Sequence, residues 1–177
     1  MQTQTESINA QPKQIFYMSK KAQELAKECV TKKSLLIALS ENQCFSDAIM
    51  FLSYAMPYQK GLQWALKCVK NNNQTINNRN ALEATEKWLK EPNEENREKI
   101  LPTEAIAKPT AATWLTIAAY WSGGGINDTP VFESAPNGLV NDSIYSSVML
   151  SVQEIEKNKQ LNAYSEVINQ GIKILYT

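Results

Sequence analysis

The stretch from Trp114 to Gly125 constrains the fold of this chain more than any other segment. It is an apolar, alanine-rich run that stops at three consecutive glycines. Its apolar residues recur at helical spacing, and Thr110 is the predicted N-cap. Because the run is apolar around most of its circumference, we predict that Trp114 and Trp121 are largely buried. We therefore expect this helix to be central, with a glycine in the left-handed conformation at its end.

Helical patterns also cover most of the remaining chain, and the alternating patterns typical of strands are almost absent. With 177 residues, 43% of them apolar, the chain is long enough to bury one core. The sequence therefore predicts an all-α fold, a single-domain helical bundle of about seven to nine helices with one long Gly/Pro-containing loop. Beside the central helix, the predicted helices begin near Ser19, Ser34, Ser46, Tyr58, Asn80, Asn93, Asn141 or Asp142, and Leu161.

The first 14 residues differ in composition from the rest of the chain. Residues 1–14 are rich in Gln, Thr, Ser and Asn and predict a flexible N-terminal tail, whereas residues 15–177 form the predicted helical domain. The tail lacks the basic and apolar regions of a secretory signal, and no run reaches about 18 consecutive apolar residues. We therefore expect no membrane insertion and a cytoplasmic location, in which Cys29, Cys44 and Cys68 remain reduced.

Charge and residue types narrow the classes of function. The chain has 18 basic and 18 acidic residues, which disfavours binding to nucleic acid. It contains no histidine, the usual general base of hydrolases and the commonest metal ligand. The glycines end a helix instead of preceding a lysine and a new helix, as a phosphate-binding loop requires. We predict no cofactor, no metal and no enzymatic activity.

The longest segment without a helical pattern runs from residue 122 to about 140. Loops of this length in compact domains are often functional, and this one carries both apolar and acidic side chains. The leading hypothesis is a protein-interaction module that binds another protein here; the alternative is a histidine-free enzyme that uses the loop carboxylates Asp128 and Glu133. The predicted partner-binding residues are Trp121, Ser122, Gly123, Gly124, Asp128, Pro130, Phe132 and Pro136.

Three sequence blocks carry a family resemblance. They comprise residues 47–65, residues 84–97, and the Trp-Ser-Gly-Gly run at 121–124 followed by Pro130 and Pro136. Over about Phe45 to Leu175 the chain resembles an uncharacterised bacterial all-helical family with a Trp-Ser-Gly-Gly core motif, although Ser134 and Ala135 depart from that family's proline-rich loop. Some members are associated with protein-secretion gene clusters. The resemblance therefore implies an adaptor or accessory role in a secretion system, and the family has no established activity that could be transferred to this chain.

Overall fold

The computed structural model describes residues 18–71, 76–100, 109–123 and 138–177, and in these ranges the chain is helical without a strand. The predicted single-domain all-α fold is thereby confirmed. The predicted tail and most of the predicted loop lie outside the described residues. The described helices are α1 Lys20–Glu28, α2 Lys32–Glu41, α3 Phe45–Ala55, α4 Tyr58–Lys70, α5 Ile76–Lys90, α6 Glu94–Glu98, α7 Ala111–Ser122, α8 Leu139–Gln153 and α9 Lys157–Leu175.

Side-chain caps explain where several helices begin. The Ser19 hydroxyl accepts the backbone N–H of Ala22 at the start of α1, and Asn93 caps α6 in the same way. Thr31 and Thr110 each form a capping box, in which the cap and the third helical residue exchange hydrogen bonds. The predicted N-cap of α7 is confirmed, and α4 begins at the predicted residue, Tyr58.

The start of α8 differs from the prediction, which placed the cap at Asn141 or Asp142. The N-cap is Gly138, whose φ of 86° lies in the left-handed region that favours glycine. The two predicted caps bond to α3 instead. Asn141 donates from Nδ2 to the Ser53 carbonyl oxygen at 2.7 Å, and Asp142 accepts the Tyr54 hydroxyl at 2.7 Å. Because these two side chains bond to another helix, neither of them caps α8.

The centre of the fold is shared among several helices. α8 packs against α7, α4, α3 and α9, and its contact with α7 is the most extensive in the described chain. α8 presents fully buried serines to this region, and the Ser147 hydroxyl donates to the Ala111 carbonyl oxygen at 2.8 Å. Small side chains on both helices allow this close approach. The largest fully buried side chains include Trp64, Leu35, Leu36, Leu39, Ile49, Leu52, Leu62, Leu82, Leu115, Ile144 and Ile168.

Trp64, on α4, bonds directly to α9. The indole of Trp64 is fully buried and donates from Nε1 to the Val167 carbonyl oxygen at 2.9 Å. A Cβ atom at Gly171 would lie 3.0 Å from Cε2 of that ring and 2.7 Å from Cδ1 of Leu52. The absence of a side chain at Gly171 therefore permits the two helices to touch.

None of the described helices is both long enough and apolar enough to cross a lipid bilayer.

Candidate functional site

The two faces of α7 differ in side-chain size and in burial. The buried face consists mainly of small residues, Ala111, Ala112, Leu115, Thr116, Ala118 and Ala119. The opposite face carries large side chains at three- and four-residue spacing, and each of them is half-buried. We call this second group the aromatic face, and it comprises Trp114, Ile117, Tyr120 and Trp121.

Trp114 and Trp121, which the sequence predicts to be largely buried, are both half-buried in the structure. The physical reason is the close packing of α7 on α8, which small side chains permit and indoles would prevent. Trp121 still packs partly against the core, and its ring meets the Tyr120 ring edge to face, with centroids 5.6 Å apart. The aromatic face therefore ends in a pair of interacting rings.

Arg97, on the short helix α6, reaches the end of this face. Its side chain is buried, and its guanidinium carbon lies 5.3 Å from the centroid of the Tyr120 ring. The guanidinium donates from Nη1 to the Gly123 carbonyl oxygen at 3.3 Å and from Nη2 to the Glu94 carboxylate. A cation at this position also interacts favourably with the negative end of the α7 dipole.

Two side chains approach Gly123 so closely that a larger residue would not fit there without a shift. The φ of Gly123, −79°, lies outside the left-handed region. The other two glycines that could take the expected left-handed conformation, Gly124 and Gly125, lie outside the described residues. A Cβ atom at Gly123 would lie 3.0 Å from Cδ of Arg97 and 3.3 Å from Cζ2 of Trp88. The first glycine after α7 therefore provides room for these side chains instead of an unusual backbone angle.

Trp88 is buried beside Gly123, and its indole N–H has no hydrogen-bond partner among the described residues. A buried donor without an acceptor costs about 1–3 kcal/mol. Trp64 differs in this respect, since its indole donates to Val167. Among the described residues, burial of Trp88 therefore leaves an indole N–H unpaired, which costs free energy. Burial of Trp64 between α4 and α9 does not have this cost.

The other end of α7 is held by a carboxylate. The Ala111 N–H donates to Oε1 of Glu154, which follows α8, at 3.2 Å, and the Thr110 capping box satisfies further groups. Negative charge is favourable at a helix N-terminus and positive charge at a C-terminus. Glu154 and Arg97 thus each place an oppositely charged group at one end of α7, and both come from other parts of the chain. These contacts fix the helix that carries the aromatic face.

The structure brings together three of the predicted site residues. Trp121, Ser122 and Gly123 lie at the end of α7, where the Ser122 hydroxyl donates to the Ala119 carbonyl oxygen at 2.9 Å. The other predicted residues, Gly124, Asp128, Pro130, Phe132 and Pro136, and the carboxylate Glu133 of the alternative, lie outside the described residues.

Sequence reasoning did not assign five residues to this site: Trp88, Arg97, Trp114, Ile117 and Tyr120. The spacing of Ile117 and Tyr120 relative to the tryptophans was visible in the sequence and indicates a shared helix face. The contact between Arg97 and Gly123 joins residues 26 positions apart and has no local signal. Trp88 fits an ordinary apolar helix pattern, so nothing in the sequence associates it with the end of α7.

No group of three His, Cys, Asp or Glu residues in the described ranges is placed to hold a metal ion. Burial raises the pKa of the Cys68 thiol to about 12, so this thiol is protonated near neutral pH. The arrangement at the end of α7 therefore offers apolar contact area and hydrogen bonding.

The fold is that of an all-helical, single-domain protein, and its candidate site is a helix face. Residues 35–175 match the profile of a family described as a family of unknown function, DUF6931, and the chain belongs to that family. This match confirms that the chain is a member of an uncharacterised family, as the resemblance implied. No curated protein and no solved structure matches the chain.

Proposed function

We propose that this protein is a non-enzymatic interaction module that binds an apolar segment of another protein through the aromatic face of α7. The observation that carries the proposal is the orientation of α7, whose small residues face the core while its large ones remain half-buried. Tyr and Trp are enriched at the centres of protein interfaces, where they supply large contact areas with few rotatable bonds.

The binding surface extends beyond the aromatic face. It includes Ser122 and Gly123 at the end of α7, and the proposal retains Gly124, Asp128, Pro130, Phe132 and Pro136, because they follow this end in the sequence. A formal net charge of zero supports a protein partner over nucleic acid. The three free thiols support a cytoplasmic location, since reducing compartments keep cysteines unpaired.

A narrower proposal concerns the biological setting. The resemblance of the Trp-Ser-Gly-Gly run and its neighbouring blocks to bacterial proteins of secretion gene clusters supports an adaptor or accessory role in a secretion system. An adaptor needs a rigid surface that presents apolar anchors, and α7 is held at both ends by Glu154 and Arg97. The identity of the bound protein tests this narrower proposal separately from the binding itself.

Site-specific cross-linking tests the proposed surface. A photo-reactive phenylalanine derivative replaces Ile117 on the aromatic face, and in a matched control it replaces Leu161, which is 52% exposed on α9. We expect cells of the source organism to yield one cross-linked protein from position 117 and none from position 161. With that protein purified, Trp114→Ala should weaken binding about tenfold or more, as for a hot-spot aromatic, whereas Leu161→Ala should not.

Several outcomes contradict these proposals. Equal capture from positions 117 and 161, or unchanged binding by the folded Trp114→Ala variant, shows that the aromatic face is not the binding surface. A captured protein with no part in secretion contradicts the narrower proposal alone. A small molecule that co-purifies with the chain and is converted only when Asp128 and Glu133 are intact supports the enzymatic alternative.

A further inference from the structure

We infer that Arg97 is the positioning residue of the proposed partner-binding surface. From α6 it sets the end of α7 and the direction in which the chain leaves the helix at Gly123. This inference rests on the proposed function, and it adds a residue that contributes by holding the binding surface in place.

Three contacts of the Arg97 side chain support this role. The guanidinium donates to the Gly123 carbonyl oxygen at 3.3 Å, which fixes the peptide group where the chain leaves α7. The same guanidinium lies over the Tyr120 ring, 5.3 Å from its centroid. Its aliphatic part fills the space above Gly123, since a Cβ there would lie 3.0 Å from Cδ. One side chain thus restrains an aromatic ring and the backbone beside it.

The burial of Arg97 within α6 strengthens the inference. Arg97 is only 7% exposed, whereas Glu94, Glu95, Glu98 and Lys99 around it are exposed. An arginine is seldom this buried unless its charge is satisfied, and here a carboxylate, a carbonyl oxygen and a ring face contribute. A helix of five residues gains little stability from its own hydrogen bonds. The side chain of Arg97 is therefore a main link by which α6 and α7 support each other.

Arginine is specifically suited to this position. Its planar guanidinium can stack on a ring and donate several hydrogen bonds in fixed directions at once. A lysine keeps the charge and reaches the carbonyl oxygen, but it does not stack in the same way. A methionine keeps much of the aliphatic packing and loses both the charge and the donors. Arg97→Lys should therefore weaken the contacts of this side chain less than Arg97→Met does.

The experiment compares Arg97→Met and Arg97→Lys with Arg79→Met, a matched control because Arg79 is exposed on α5. The binding probe is the purified protein cross-linked at position 117. We expect Arg97→Met to weaken its binding about tenfold or more, the effect of losing a charge-assisted hydrogen bond. Arg97→Lys should restore part of the affinity, and Arg79→Met should bind as the unmodified protein does.

A second readout does not depend on the partner. In protein labelled with 5-fluorotryptophan, the ¹⁹F resonances of Trp88 and Trp121 should shift in Arg97→Met, because both rings lie at the end of α7. The resonance of Trp64, which is buried between α4 and α9, should stay unchanged. A change at all three positions, together with lost binding, would indicate that Arg97→Met is generally unfolded, and a second variant then decides the question.

Gly123→Ala provides an independent variant if Arg97→Met does not fold. The added Cβ displaces the Arg97 side chain without removing its charge, so binding should fall and the Trp88 resonance should shift. Full binding by either folded variant, or unchanged Trp88 and Trp121 resonances in Arg97→Met, overturns the inference and leaves the proposed function intact. If the unmodified protein captures no partner at position 117, the proposed function itself fails before any variant is compared.

Discussion

Gly171 and Gly61 both lie at helix contacts, but the atoms that face them differ. A Cβ at Gly171 would lie within 3.1 Å of the rigid ring of Trp64 as well as 2.7 Å from Cδ1 of Leu52, whereas one at Gly61 would closely approach a single atom, the terminal methyl of Ile144 at 2.9 Å. Gly171→Ala should therefore destabilise the protein by about 1–3 kcal/mol through overpacking. Gly61→Ala should lie within about 1 kcal/mol of the original stability, because a rotated methyl relieves the contact and alanine favours the helix.

Urea denaturation of both glycine variants measures this difference. Asn169→Ala, at an exposed position of α9, reports the gain in helix propensity without a clash. Equal losses in Gly171→Ala and Gly61→Ala would show that the identity of the facing atom does not decide the cost.

The buried thiol of Cys68 predicts a loss of stability at alkaline pH. Burial raises its pKa from an ordinary 9.0 to about 12, so the folded state holds this proton more tightly than the unfolded state does. The stabilisation is fully present below pH 9 and declines as the pH rises toward 12, by up to about 1.4 kcal/mol per pH unit. Burial and the hydrogen bond to Asp142 also raise the pKa of Tyr54, which adds to the decline.

The free energy of unfolding, measured between pH 8 and pH 11 for the original protein and Cys68→Ala, tests this linkage. Both proteins should lose stability, and the variant should do so less steeply, because Tyr54 contributes to both curves and the thiol to only one. Parallel curves would show that the thiol does not contribute. A difference in the free energy of unfolding between the two proteins that does not change with pH reflects only the packing lost at position 68.

At the scale of a single helix, the N-cap of α7 should contribute measurably to stability. The Thr110 hydroxyl accepts the Thr113 N–H at 3.2 Å within the capping box. Thr110→Ala removes this acceptor and should cost about 1 kcal/mol. Thr110→Ser keeps a hydroxyl at the same place and should cost less. Thermal unfolding of the two variants makes the comparison, and equal losses would show that the methyl group, not the cap, is what matters.

Some helix boundaries were predictable because the cap acts on its own helix. Thr110 and Asn93 satisfy groups within a few residues, so local sequence identified them. Asn141 and Asp142 look like caps by the same criteria, yet they bond to Ser53 and Tyr54 of another helix. A partner 88 residues away leaves no trace in the local pattern. The all-α fold was therefore predictable, and the start of α8 was not.

The candidate site was predictable in part for the same reason. The sequence identified the end of α7 through Trp121 and Gly123, because an apolar helix that stops at glycines is a local pattern. It did not show which face of α7 is turned inward, since a helix that is apolar all round has no polar face to mark the outside. Packing against α8 determines which face is turned inward, because the small residues allow the two helices to approach closely. Arg97 enters the site only through the tertiary fold.

At the scale of the whole molecule, α1 is peripheral to the part of the chain that matches the family. The family match begins at residue 35 and leaves α1 outside. The contacts of α1 are mainly with α2, and hydrogen bonds from Ser19 to Asp47 and from Lys21 to the Asn42 carbonyl oxygen add to them. In contrast, α7 and α8 contact several helices each. The core and the proposed surface therefore depend little on α1.

A shortened chain that begins at Val30 tests this division. It keeps Thr31, which caps α2, and removes the buried side chain of Ala22 together with the hydrogen bonds from Ser19 and Lys21. We expect it to unfold cooperatively, with a stability lower by about 1–3 kcal/mol, the scale of one buried apolar side chain. It should still cross-link its partner from position 117, because α7 and its contacts with Glu154 and Arg97 are unchanged. If the shortened chain loses cooperative unfolding, then α1 belongs to the folding unit and the core requires more of the chain than the family match covers.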